Sequence, residues 1–257
     1  MATVRTLIVR APGTNRDEET AYAFRQAGAE TETAHVTELV AGAKRFTDYQ
    51  ILVFPGGFSY GDDLGAGRVQ ANELTMKLAR EVTPYIERGG LIMGICNGFQ
   101  MLVKAGILPG PLSAGVGQTA TLTNNDAGRF ECRWVYLAAN QNSRCIFTRG
   151  IDVIYAPIAH GEGKFVAPPE VLDNVDVALY YADAAGNPVT AYPACPNGSL
   201  RAIAGITDAT GHIFGLMPHP EDNIHPLHHP RWTKGGAELV GSGIKIFRNA
   251  VDWVKSS

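Results

Sequence analysis

Through its first half the chain alternates short apolar runs with stretches of helical spacing, and that alternation leaves few folds open. Thr6–Arg10, Glu30–Val36, Gln50–Phe54 and Leu91–Ile95 read as strands. Between them, Glu18–Ala27 reads as a helix ended by Gly28. Asn72–Arg88 sets Leu74, Leu78, Val82 and Ile86 on one helical face, with Gly89-Gly90 beyond it, and Asn97–Lys104 starts another helix. This order predicts an α/β fold: an open, mostly parallel sheet with helices on both faces. The second half is richer in strands, at Phe130–Leu137, Val153–Ile158, Val177–Tyr181, Leu200–Ile206 and His212–Met217, before a last helix at Ile244–Val254. Stretches 108–118 and 183–199, rich in Gly, Pro and Ala, read as loops. No repeat and no sharp change of composition divides the chain, so residues 1–257 are read as one domain.

Charge narrows the classes of function. With 25 acidic and 22 basic residues and a net charge of −3, neither nucleic acid nor a membrane surface is expected as a partner. No stretch approaches the roughly 18 apolar residues of a membrane span. The N-terminal apolar run is too short for a signal-peptide core, so a cytoplasmic location is expected. Cys96, Cys132, Cys145 and Cys195 form no C-x-x-C pair, and reduced thiols are expected. Asn197-Gly198-Ser199 matches a glycosylation pattern but reads here as a turn.

One cysteine stands apart. Gly94-Ile-Cys-Asn-Gly98 follows the strand Leu91–Ile95 and opens the next helix, the cysteine counterpart of a nucleophile elbow. Such a turn strains the backbone of its central residue, while the flanking glycines let strand and helix approach closely. Cys96 would then stand at the carboxyl edge of the sheet, where ligands bind in open α/β folds. The positive end of the helix dipole there favours a thiolate. The plain alternative is a buried structural cysteine with glycine neighbours; Cys132, Cys145 and Cys195 lack this context and are read that way.

A thiol nucleophile needs a histidine to move protons and an acid to orient it. In Gly215-Leu-Met-Pro-His-Pro-Glu221, His219 and Glu221 are two apart, and an extended segment would point both side chains the same way. Pro218 and Pro220 stiffen it. His160, in His160-Gly-Glu-Gly-Lys164, has the same spacing to Glu162. Glycines on either side of Glu162 make that segment a poorer support, so it is read as lining the site or a partner surface. The glycines of Phe54-Pro-Gly-Gly-Phe-Ser-Tyr-Gly-Asp62 expose backbone N–H groups; those of Gly57 and Asn97 are candidates for an oxyanion hole. No phosphate-binding loop occurs. The proline-broken run with His225, His228 and His229 fits a loop better than a metal site, and no metal is expected.

With these motifs together, the chain resembles the class I, or triad, glutamine amidotransferases. Within them it is similar to the glutaminase subunits of phosphoribosylformylglycinamidine synthases, enzymes of de novo purine synthesis. The matching stretches run in order: residues 54–67 (FPGGFSYGDDLGAG), 94–102 (GICNGFQML), 156–165 (APIAHGEGKF) and 215–223 (GLMPHPEDN). Residues 11–20 are similar to the family's first loop, though Arg16 stands where a cysteine is expected, and 225–229 departs from the usual basic segment. The resemblance implies a flavodoxin-like amidotransferase fold. Cys96 would be the nucleophile, His219 the proton shuttle and Glu221 its orienting acid; Gly57 and Asn97 would hold the oxyanion. Gln100 and Phe58 would contact the bound glutamine. It further implies a separate synthetase subunit, carrying ATP and magnesium and receiving ammonia, and a small adaptor subunit; no cofactor is expected in this chain. The alternatives are a stand-alone cysteine hydrolase (a peptidase or γ-glutamyl hydrolase) and a redox-sensing thiol protein that performs no hydrolysis.

Overall fold

Buried apolar strands need a partner on each side, and the computed structural model, which describes residues 3–110, 117–234 and 241–256, shows how they find it. In chain order the elements are β1 (Arg5–Arg10), α1 (Asp17–Gln26), β2 (Glu30–His35), α2 (Val36–Val40), β3 (Ile51–Phe54), α3 (Arg68–Met76), α4 (Ala79–Glu87), β4 (Leu91–Ile95) and α5 (Asn97–Lys104). There follow β5 (Thr121–Thr123), β6 (Glu131–Ala139), β7 (Val153–His160), β8 (Lys164–Val166), α6 (Pro169–Leu172), β9 (Asp176–Ala182), β10 (Ile203–Thr207), β11 (Ile213–Leu216) and α7 (Ile244–Ser256).

Among the described residues nine strands form one sheet in the order β2-β1-β3-β4-β11-β10-β9-β6-β7. The first five run parallel and have the flavodoxin-like order; the rest pair antiparallel. The sequence explains the division. β3 and β4 are buried at every residue, as strands covered on both faces must be, whereas β7 alternates half-buried with buried positions. Right-handed crossovers put the helix of the leftward step, α1, on one face and those of the rightward steps, α3 to α5, on the other. Accordingly α1 packs with α7, and α3 packs with both α4 and α5.

Several expected boundaries differ by a few residues, and three differences have a visible cause. The single helix read over 72–88 is two helices, broken at Lys77-Leu78. Stepping four residues at a time from Leu74 to Ile86 drifts about 120° around a helix of 3.6 residues per turn, so one straight helix could not bury all four. The break leaves Leu74, Leu78 and Val82 in the core and Ile86 at its margin. The second strand stops at His35 rather than Val36, because His35 caps α2 in a reciprocal capping box with Glu38. β10 begins at Ile203, not Leu200, since Arg201 and Ala202 take positive φ in a turn before it. The loop read at 108–118 falls partly on 111–116, outside the described residues. Asn197 is fully buried and donates its amide hydrogens to Gly163 O and Tyr181 Oη, so its glycosylation-like triplet forms a turn inside the protein. No helix among the described residues is long and apolar enough to cross a membrane.

Candidate active site

Strand register sets the site. β3, β4 and β11 are neighbours, with Phe54 opposite Gly94 and Ile95 opposite Leu216, so all three reach the carboxyl edge together. The residues that follow them are Pro55-Gly56-Gly57, Cys96 and Met217-Pro218-His219. Cys96 caps α5 with φ +51° and ψ −104°, a strained conformation for a residue with a side chain. Its N–H donates to Leu216 O at 2.7 Å and its carbonyl accepts Gln100 N–H at 3.0 Å, which pins it between strand and helix. Only glycine fits beside it. A Cβ on Gly98 would sit 1.9 Å from Phe54 O, and one on Gly94 2.7 Å from Gly98 O.

His219 and Glu221 meet, but not through an extended segment: Pro220–Asn223 is a 3₁₀ turn that folds the carboxylate back under the ring. The imidazole Nδ1–H donates to Glu221 Oε1 at 2.7 Å, and both side chains are buried. Burial opposes a charged imidazole, yet the Glu221 carboxylate, with the charge and hydrogen bonding of Cys96, outweighs it and holds His219 well above its usual pKa. Gly56 leaves room for the ring, since a Cβ there would lie 2.7 Å from His219 Cε1. The free edge of β7 supports the whole turn with alternate carbonyls. Tyr155 O accepts Asn223 Nδ2–H (2.6 Å), Pro157 O accepts His219 N–H (2.8 Å) and Ala159 O accepts the Cys96 thiol (3.8 Å). Pro157 has no N–H to lose at this edge.

Gly57 has φ +147° and forms a bridge with Thr14. Its N–H and that of Asn97, the first residue of α5, take no hydrogen-bond partner among the described residues. Phe58 is exposed at the rim and stacks on Phe130 at 6.3 Å. Gln100 is buried, donating Nε2–H to Glu162 O at 2.7 Å and accepting Asn97 Nδ2–H at 3.1 Å, so its amide braces the elbow. His160 is also buried, at the end of β7; burial, aided by nearby His219, pushes its pKa down to about 3. Gly163 is not there for looseness, since it lies against the ring and a Cβ would meet Cε1 at 2.2 Å. Glu162 turns away from His160 and accepts Ala66 N–H at 3.2 Å, with Lys104 Nζ at 3.5 Å. Among the described residues no group of three or more His, Cys, Asp or Glu is placed to hold a metal ion. His229 instead packs on Trp134 and Tyr155.

Other side chains here were not read from the sequence. Asn125 holds His160 and Gly163. Asp62 accepts from Asn97 at the start of the elbow helix, and Lys104 at its end donates to Ala66 O. Arg16 reaches Asp222 at 3.5 Å, in the turn behind Glu221; burial and Glu221 push Asp222 up to about 6. A signal existed for part of this. Asn97, Gln100 and Lys104 stand at helical spacing i, i+3, i+7, a polar stripe on a helix that is otherwise apolar.

The chain matches the CobB/CobQ-like glutamine amidotransferase domain over residues 3–254. It is 56% identical over 255 residues to the phosphoribosylformylglycinamidine synthase subunit PurQ of Dehalococcoides mccartyi, covering 99% of each chain. It is 42% identical to the subunit of that name from Methanococcus maripaludis, covering 97% of each. Among solved structures it is similar to PurLQS from Thermotoga maritima, with a TM-score of 0.76 and 34% identity over 98% of this chain and 100% of that one. A second Thermotoga maritima protein, a glutamine amidotransferase 17% identical with a TM-score of 0.58 and full coverage of both chains, shares the fold. Fold order, sequence match and relatives along the whole length agree, and the chain belongs to the CobB/CobQ-like glutamine amidotransferase family.

Proposed function

We propose that the chain is the glutaminase subunit of a phosphoribosylformylglycinamidine synthase, hydrolysing glutamine to glutamate and ammonia and passing the ammonia to a synthetase subunit. One observation carries this reading. Cys96, the His219–Glu221 pair and two uncommitted backbone donors converge at the ends of three adjacent strands. The Cys96 thiolate attacks the side-chain amide carbon of glutamine, forming a C–S bond while Gly57 and Asn97 N–H groups hold the oxyanion. His219, kept basic by Glu221, takes up the thiol proton and delivers it to the departing nitrogen. The C–N bond breaks, ammonia leaves, and a γ-glutamyl thioester remains on Cys96. His219 then draws a proton from water, which attacks the thioester; the C–S bond breaks, glutamate leaves, and His219 returns the proton to the Cys96 sulfur. Phe58, beside Gly57 at the rim, is placed to contact the entering glutamine.

The PurQ relatives and the PurLQS neighbour support a synthetase partner and a small adaptor. ATP and magnesium chemistry belongs to the synthetase, and this chain needs no cofactor for its own step. Four free cysteines suit the cytoplasm. Cys96 and His219 are 4% and 2% exposed, a closed arrangement that fits a glutaminase opened by its partner. In the assembled enzyme, Cys96→Ala should abolish glutamine-dependent synthesis and leave ammonia-dependent synthesis intact; retained glutamine turnover would overturn the reading. A stand-alone hydrolase would instead show full glutamine turnover by the isolated chain.

A further inference from the structure

The two proposed oxyanion donors come from different segments, and something must fix the distance between them. Gly57 lies in the loop after β3, Asn97 at the start of α5. The loop is unusual. Tyr60, Asp62 and Leu64 all have positive φ (56°, 56° and 63°), as do Gly61, Gly65 and Gly67. Residues with side chains do not hold that conformation unless their surroundings impose it. Here the surroundings include one amide. Asn97 Oδ1 accepts Ser59 N–H at 3.1 Å, two residues beyond Gly57, and Asn97 Nδ2 donates to Asp62 Oδ1 at 2.9 Å. The residue whose backbone N–H is one donor thus grips, through its side chain, the loop that presents the other.

Asp62 makes this grip one-directional. Gln100 Oε1 accepts from the same Asn97 nitrogen at 3.1 Å, so both amide hydrogens of Asn97 are committed and its oxygen must face Ser59. Lys104, itself largely buried, favours the charged form of Asp62, while burial and the neighbouring Glu162 carboxylate oppose it and raise its pKa. Aspartate tolerates left-handed backbone better than most residues, which suits it to this place.

We infer that Asp62 is a positioning residue of the oxyanion hole: by fixing the Asn97 side chain it sets the spacing of the Gly57 and Asn97 N–H donors. This rests on the glutaminase reading above. A donor displaced by about 1 Å forfeits a large part of its effect, which appears in the transition state more than in glutamine binding.

The test is steady-state kinetics of the complete synthase with glutamine, and with ammonia as a control of folding and assembly. Asp62→Gly keeps the backbone unstrained and removes the acceptor. It should lower glutamine-dependent kcat at least about tenfold, with KM within about threefold and the ammonia-dependent rate unchanged. Asp62→Asn keeps an acceptor oxygen and the backbone preference, and should return kcat to within about threefold of wild type. The inference is overturned if Asp62→Gly keeps kcat within twofold, if KM rises while kcat is kept, or if Asp62→Asn is as impaired as Asp62→Gly. Should Asp62→Gly fail to assemble, Asp62→Glu, which keeps the charge and shifts the oxygens, is read by the same split; wild-type kcat there overturns the inference. Cys96→Ala in the same assay separates the two levels. If it retained glutamine-dependent synthesis, the glutaminase reading would fail whatever Asp62 does.

Discussion

Two segments of this chain carry the same spacing, His219-Pro-Glu221 and His160-Gly-Glu162, and both imidazoles are buried. Their chemistry is opposite. In the first, a 3₁₀ turn folds the carboxylate onto Nδ1–H, and the ring is held well above its usual pKa despite burial. In the second, the carboxylate leaves for Ala66 N–H and Lys104, and Nδ1 faces Asn125. Asn125 gives both amide hydrogens to carbonyls, of Arg129 and His160, so its oxygen must accept from His160 Nδ1–H and from Gly163 N–H. That fixes a neutral tautomer whose pKa falls to about 3. A carboxylate or an amide behind the ring decides whether a buried histidine can shuttle protons; the spacing of the acid in sequence does not.

The comparison breaks most visibly if the carboxylate is taken away. Glu221→Gln turns the His219 turn into an electrostatic copy of the His160 segment. Glutamine-dependent kcat should fall about 10³–10⁴-fold, because the imidazolium formed during turnover loses its counter-charge. Ammonia-dependent synthesis should be unaffected. A loss smaller than about tenfold would mean that His219 does not depend on its acid, and the contrast between the segments would lose its meaning.

Gly163→Ala probes the other segment. The added Cβ would stand 2.2 Å from His160 Cε1, and both the ring and the backbone of Gly163 are tied to Asn125. Neither can retreat cheaply, so a destabilisation of about 1–3 kcal/mol is expected from overpacking, read from denaturant midpoints. An unchanged midpoint would show the segment to be as loose as its glycines suggest on paper.

A sequence discloses geometry that is local and hides geometry that depends on distant partners. Gly94, Cys96 and Gly98 were legible because a fully apolar strand and a helix start bracket them, and local geometry needs no distant partner. The parallel half of the sheet was legible for the same reason. The antiparallel half was legible only as strands. Nothing local in Val153–His160 says that its carbonyls would support Cys96, His219 and Asn223, contacts that span 62 to 68 residues. His219 and Glu221 were paired for the wrong reason, an extended segment where a turn forms. The pattern around Gln100 names the residue and not the neighbours, Asn97 and Glu162, that hold its amide. Asn125 and Asp62 act through partners 35 residues away, and no periodicity points to them.

The neutral His160 should also be visible in the acid stability of the fold. Its pKa is about 3 when folded and 6.5 when free, so between those values the unfolded chain binds a proton that the folded chain refuses. Stability therefore falls as pH falls through that window, by at most about 1.4 kcal/mol per pH unit for one proton. Two neighbours slope the other way. Asp222, pushed up to about 6, holds a proton that the unfolded chain has released above 3.8, and His219 adds stability that is lost only as pH rises through its raised value. The difference between wild type and His160→Gln isolates the one histidine: the variant's stability should decline less steeply toward acid. Parallel curves would mean that His160 is not refused its proton.

Glu162→Gln carries the smallest expected effect, and it bears directly on the opening contrast. Its carboxylate is partly exposed, so water screens the 3.5 Å contact to Lys104, and such pairs contribute about 0–1 kcal/mol. A glutamine oxygen still accepts Ala66 N–H, and Lys104 keeps its bond to Ala66 O. The bond that matters to the elbow, Gln100 Nε2–H to the carbonyl of residue 162, belongs to the backbone and survives substitution. Stability should therefore drop by less than about 1 kcal/mol and glutamine-dependent kcat should stay within about threefold of wild type. If Glu162→Gln instead matched Glu221→Gln, His160 would be drawing on its own acid during turnover, and the two His-x-Glu segments would have to be treated as equals in spite of their opposite geometry.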